Sequence, residues 1–168
     1  MPELPEVETM CRGIDCFRGK IIAATQFPRH TRRPSPIAPR PKTMAAKLHR
    51  ARIMDITRLG KRAVLRLRHS ENHLDSFLVF EPRMTGLLLR VPPPTQQHVR
   101  LIITTEKTPP LIFWDRRGLG TITLVDKSTF KSRYGSHSLG PDALAITGLA
   151  LHNKIHSSRR HIKVALLD

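Results

Sequence analysis

The chain has 168 residues and a mass of 19.1 kDa, enough for one domain plus a stub of a second, and too many to need disulfide staples. Hydrophobic residues make up 39% and charged residues 25%, near the averages of soluble globular proteins, which excludes wholesale disorder and fibrous repeats. A net charge of +16 calls for a polyanion, and nucleic acid is favoured over a membrane surface because arginine is spread along the whole chain.

No apolar run approaches the roughly 20 residues of a membrane span. Acids stand near the N-terminus where a secretory signal would be basic and then greasy, so a cytoplasmic location is expected. Leu4, Val7, Met10, Cys11, Ile14 and Phe17 form a helical stripe over residues 4–18, with Pro5 in the first turn and Gly19 at the exit. Cys11 and Cys16 are five residues apart on that stripe. They read as reduced fillers rather than a disulfide, and two cysteines cannot build a four-cysteine zinc site.

Residues 20–27 are strand-like. Pro28, Pro34, Pro36, Pro39 and Pro41 then punctuate a basic segment that reads as an irregular loop, with Arg29 to Arg40 as a flexible electrostatic skirt. A helical turn over 43–49 precedes a hairpin, 52–57 and 62–68, whose turn at Leu59-Gly60-Lys61 puts a lysine at the tip. Further strand-like runs follow at 74–80, 87–91, 98–105, 111–114 and 121–125. Many short strands at this spacing predict a β-sandwich.

From residue 139 onward the period is helical again, through 149–155 and through Ile162, Ala165 and Leu166. The last helical pattern is still running at Asp168, so the chain is expected to be a truncated form of a longer one. His152 and His156 are spaced for a metal ion with His161 nearby, but the flanking Lys154, Arg159 and serines favour a solvated, phosphate-facing basic helix. No metal site is expected in this chain.

On spacing alone, Pro2-Glu3 reads first as the opening of a helix. It also has a chemical reading: without Met1, Pro2 presents a secondary amine that attacks an aldehydic or acetal carbon, with the Glu3 carboxyl beside it to move a proton. Met84 and Leu119 read as sandwich core. Arg117, between Asp115 and glycines on a loop, has little packing to do and invites a functional role.

Met1 to Thr9, MPELPEVET, resembles the start of the formamidopyrimidine-DNA glycosylase and endonuclease VIII family. Four further segments agree in order: Leu59-Gly60-Lys61-Arg62, Arg83-Met84-Thr85-Gly86, Asp115-Arg116-Arg117-Gly118-Leu119-Gly120 and Leu139-Gly140-Pro141-Asp142. The stretch from Ile162-Lys163 to Asp168 resembles the start of the family's helix-two-turns-helix.

The resemblance implies a mainly β fold with flanking helices: a two-layer β-sandwich with an N-terminal α-helix over residues 1–135, and an incomplete C-terminal helical segment over 136–168. It implies a monomeric bifunctional DNA glycosylase/AP lyase for oxidised purines such as 8-oxoguanine and formamidopyrimidine, with damaged double-stranded DNA as partner. Pro2 matches the nucleophile, Glu3 the proton donor, Glu6 a supporting acid, and Lys61 and Lys163 phosphate or lesion contacts. Met84, Arg117 and Leu119 match the set that fills the void left by a flipped base.

The family's zinc belongs to a C-terminal finger outside these residues, so no cofactor is expected here. Two departures stand out. Glu81 replaces a histidine three residues before Met84, and Leu119 replaces an aromatic residue, which offers less stacking area. These keep two alternatives open, a damage-binding paralogue without catalysis and an endonuclease VIII-type enzyme for oxidised pyrimidines.

Overall fold

The computed structural model describes residues 2–28, 35–69, 74–135 and 140–166. Its elements in chain order are α1 (Leu4–Gly13), β1 (Ile22–Gln26), β2 (Ile37–Ala38), α2 (Pro41–Leu48), β3 (Arg52–Leu59), β4 (Arg62–Arg68), β5 (Asp75–Glu81), β6 (Gly86–Leu89), β7 (Val99–Thr105), β8 (Leu111–Asp115), β9 (Thr121–Asp126), α3 (Lys127–Tyr134), α4 (Gly148–Ile155) and α5 (Ile162–Ala165).

The strands form two sheets, one ordered β1-β7-β8-β6 and the other β2-β9-β5-β4-β3. All pairings are antiparallel except β2 with β9. Alternation along the strands builds the core between the layers. Ala63, Leu65 and Leu67 of β4 and Leu78 and Phe80 of β5 face Leu101 and Ile103 of β7 and Phe113 of β8. The rings of Phe80 and Phe113 meet across the sandwich with centroids 5.4 Å apart.

Helix α1 contacts β3 and β4 of one sheet and β6 of the other, so it closes the end of the sandwich. Val7 and Cys11 are its buried residues, followed by Ile14 and Phe17, while its first turn stays at the surface. The helix stops at Gly13, and Asp15–Phe17 continue as a short 3-10 turn, so the stripe read through residue 18 is two elements. That break exposes Cys16, which is therefore not a packing residue.

Two elements lie where none was expected. In the proline-rich segment, Ile37–Ala38 form β2 against Ile122 and Thr123 of β9; a two-residue strand is too short to leave a period in the sequence. The other is α3, a charged helix without an apolar stripe. Asp126 caps it by accepting from the Thr129 N–H at 2.7 Å, and Phe130 stacks on Phe77 at 4.0 Å. Residues 29–34 of the basic skirt, and Leu139, lie outside the described residues.

Among the described residues no helix is long and apolar enough to cross a membrane. Four carboxyls are held below the usual range. Arg12 and then Arg58 act on Glu8, Arg68 on Asp75, the N–H of Thr129 on Asp126, and the N–H of Leu144 and then Arg58 on Asp142. A depressed folded-state pKa means that the unfolded chain binds more protons, so this stabilisation is full at neutral pH and lost on acidification. The urea midpoint should stay level between pH 8 and 6 and fall steeply below about pH 4. A profile that stays level down to pH 3 would contradict these pairings.

Candidate active site

The N-terminal residues, the β3–β4 hairpin and the segment after α3 enclose an open cleft of about 660 Å³. Pro2, Leu59, Lys61, Arg62, Arg83 and Asp142 are among its lining residues. That volume suits a group the size of a nucleotide. Glu3 precedes α1, and its N–H donates to the Glu6 carboxylate at 3.0 Å, which anchors the chain as it enters the helix. The Glu3 side chain turns toward the hairpin and pairs with the Lys61 ammonium.

Lys61 stands at the tip because the hairpin turn has two residues, with Leu59 paired to Arg62. Gly60 takes φ +58°, a conformation such turns reserve largely for glycine. Pro2, Glu3, Glu6 and Lys61, far apart in sequence in the case of the lysine, therefore meet at one lip. A carboxylate and an ammonium lie beside the first residues of the chain, next to a cavity lined by Arg62 and Arg83.

A second cluster lies beyond Arg83. Asp115, at the end of β8, is fully buried, and its carboxylate accepts from Thr85 Oγ1 at 2.5 Å, the Gly120 N–H at 2.7 Å and the Arg117 N–H at 3.2 Å. Its backbone carbonyl accepts from Arg100 Nε at 2.9 Å. One carboxylate thus ties the turn that carries Met84 to the loop that carries Arg117 and Leu119. Met84 is 40% exposed and Leu119 half-buried, so Met84 is not a core residue; the short turn leaves it no inward path.

The turn around Met84 is tight. Gly86 N–H donates to the Pro82 carbonyl at 2.8 Å, and Arg83 takes φ +55°, which is rare for a side-chain-bearing residue. A Cβ at Gly86 would sit 2.6 Å from the Cα and from the carbonyl oxygen of Pro82, both backbone atoms that cannot step aside. Gly86→Ala should therefore cost at least ~1–3 kcal/mol of stability in urea unfolding; a neutral result would show that the turn is not held in this form.

Glu81 is paired. Its carboxylate accepts from Arg62 Nε at 2.7 Å and from an Arg83 guanidinium nitrogen at 2.9 Å, and Arg62 also lies over the Tyr134 ring, 5.3 Å from its centroid. Arg62 and Arg83 lie in segments singled out in the sequence, but their pairing with Glu81 has no sequence signal beyond the alternation that puts Arg62 and Glu81 on the same side of neighbouring strands. Lys163 is exposed on α5 and does not line the cleft, whereas Leu166 beyond that helix does.

His152 and His156 stack at 5.3 Å, with His156 Nδ1 against the backbone carbonyls of His152 and Asn153. Among the described residues no three His, Cys, Asp or Glu side chains gather as a metal site. Burial pushes the Cys11 thiol up to about 11, the opposite of a thiolate ligand, and Cys16 stands apart from it on the surface. This chain's cysteines do not fit a four-thiolate zinc.

The family model described as the formamidopyrimidine-DNA glycosylase N-terminal domain matches residues 1–122. The chain is 34% identical over 174 residues to the formamidopyrimidine-DNA glycosylase of Moorella thermoacetica, and 32% identical over 176 residues to that of Bacillus subtilis. Each match covers 100% of this chain and 60% of the relative. The chain thus spans about three fifths of the length of these relatives.

The fold superposes with a TM-score of 0.74, at 24% identity, on Lactococcus lactis Fpg in its complex with abasic-site DNA, covering 99% of this chain and 60% of that one. With the matched region reaching from Met1 to β9 and taking in the lip of the cleft, the chain belongs to the formamidopyrimidine-DNA glycosylase family.

Proposed function

We propose that this chain carries the catalytic chemistry of a bifunctional DNA glycosylase/AP lyase acting on oxidised purines in duplex DNA, with residues 1–135 as catalytic domain and 136–168 as the start of a DNA-binding helical unit. The observation that carries the reading is the meeting of Pro2, Glu3 and Lys61 at the lip of a cleft of nucleotide size. The charge of +16 and the DNA-bound state of the Lactococcus lactis relative support DNA as the partner.

In this reading, removal of Met1 frees the Pro2 nitrogen. Its lone pair attacks the sugar C1′, the bond from C1′ to the base breaks, and the base leaves with the bonding pair as an anion that takes a proton from water. The proton that the attached Pro2 nitrogen sheds passes through the Glu3 carboxylate to the ring oxygen as the ring opens, leaving an iminium between Pro2 and C1′. The positive iminium acidifies the C2′ proton; its loss expels the 3′ phosphate, and a second elimination expels the 5′ phosphate. Lys61 and the cleft arginines hold phosphate, while Met84, Arg117 and Leu119 fill the space of the extruded nucleotide.

The test is borohydride reduction of the iminium on a duplex containing 8-oxoguanine, with the attachment site mapped by mass spectrometry. A covalent adduct at Pro2 is expected, together with an N-terminus lacking Met1. Trapping that persists in Pro2→Gly on another amine would overturn the assignment.

The Glu81 pairing favours a second reading, a damage-binding paralogue. Where a histidine is expected, a carboxylate occupies Arg62 and Arg83, which alters how the cleft meets DNA. Nicking of an abasic site under conditions where the protein binds it would exclude this alternative. Release of oxidised pyrimidines in preference to oxidised purines would point to the endonuclease VIII type.

A further inference from the structure

Arg58, near the end of β3, belongs to none of the motifs, yet its guanidinium reaches three elements that wall the cleft. Nε donates to Glu8 Oε2 of α1 at 2.9 Å, one Nη donates to the Gly60 carbonyl of the lysine hairpin at 3.1 Å, and the other donates to Asp142 in the segment leading to α4. The side chain is only 6% exposed, so these acceptors replace its water. A planar guanidinium offers donors at fixed angles, and three acceptors on three elements fix those elements relative to one another.

The three elements carry most of the cleft, which Glu81, Arg83 and Leu166 complete. Pro2 and Leu4 come from the start of α1, Leu59, Gly60 and Lys61 from the hairpin, and Gly140, Pro141, Asp142 and Ala143 from the third segment. Glu8 lies four residues after Leu4, on the same helix face, so holding Glu8 sets the rotation of α1 and hence where Pro2 and Glu3 point. Arg12 takes the other Glu8 oxygen at 2.9 Å, which leaves that carboxylate little freedom to release Arg58.

We propose that Arg58 is a positioning residue: its guanidinium keys α1, the Lys61 hairpin and the Asp142 segment into the one arrangement in which Pro2 and Glu3 approach a bound sugar. It acts through these elements and does not touch DNA itself, because three of its donors are taken and its side chain is buried. The inference rests on the glycosylase reading for its effect on rate, but the mechanical coupling of the three walls stands apart from that reading.

The test uses Arg58→Lys, which keeps the charge and loses the fork, and Asp142→Asn, a milder change at a partner. Three quantities are measured: the single-turnover rate of borohydride trapping on a saturating abasic-site duplex, the affinity for a non-cleavable abasic analogue, and backbone hydrogen exchange. In Arg58→Lys the trapping rate should fall roughly 10- to 100-fold, as expected for a small misplacement of reacting groups. Affinity should change less than about 3-fold, which separates positioning from loss of binding.

Exchange should accelerate together at 59–62 and 142–145 in both variants, because the hydrogen-bonded link from Asp142 to the Gly60 carbonyl runs through Arg58. An unchanged trapping rate, a rate loss matched by lost affinity, or a hairpin that exchanges normally in Asp142→Asn would each overturn the proposal. If Arg58→Lys does not fold, Asp142→Asn decides by the same measurements. If the unmodified protein gives no adduct, the glycosylase reading fails, and the exchange experiment still decides whether Arg58 couples the walls.

Discussion

Glu3→Gln is expected to lower the single-turnover rate of base release by roughly 10²- to 10⁴-fold, the usual contribution of a positioned general acid. Glutamine has nearly the size of glutamate and leaves the Glu3 N–H free to donate to Glu6, so the start of α1 keeps its anchor. It cannot deliver a proton to the sugar ring oxygen. The lost ion pair with Lys61 matters little for folding because the two side chains are 48% and 52% exposed, and such pairs contribute at most about 1 kcal/mol. The measurement is base release from an 8-oxoguanine duplex with enzyme in excess, accompanied by a melting curve. A variant as fast as the unmodified protein would remove Glu3 from the proton-transfer role.

Asp115→Ala should be the most damaging single change to the fold, costing ~3–5 kcal/mol in urea unfolding. The substitution strips the partner from the Thr85 hydroxyl and the Gly120 N–H, and removes one acceptor of the Arg117 N–H, at a fully buried position. Gly120 is packed against the Phe113 ring, which leaves little room for water to reach the freed N–H. The turn that carries Met84 and the loop that carries Arg117 would also come apart. Affinity for a duplex with an abasic analogue should therefore fall more than affinity for undamaged duplex. Equal loss on both duplexes would show that this cluster is scaffolding without a part in recognising damage.

Much of the strand layout was legible because alternation is a local signal. The pattern over 62–68 coincides with β4, and the others fall within a few residues of β5 to β9. The same logic failed for α3, whose Phe130 and Tyr134 gain meaning only against Phe77 and Arg62 on the outer face of the second sheet. Met84 misled for a related reason. Methionine near strands suggests interior, but the tight turn from Pro82 to Gly86 turns it outward.

The candidate site divides in the same way. Pro2, Glu3 and Lys61 could be picked out, two by N-terminal chemistry and one by a hairpin tip, and the structure brings them to one lip. Arg58 could not. One arginine among many in a chain of +16 has no signature until its three acceptors, from residues 8, 60 and 142, are seen together.

By itself the sequence determined the net charge, the β layering and the residue types at the lip, because charge, side-chain period and the reactivity of an amine or carboxyl belong to the residues wherever they stand. Tertiary structure alone decided which charges are spent on one another and which face the cleft. Arg58 on Glu8 and Asp142, Arg62 on Glu81, and Asp115 on Thr85 are all contacts between segments apart in sequence. Such pairing depends on distance and on loss of water, and both are set only when the layers close.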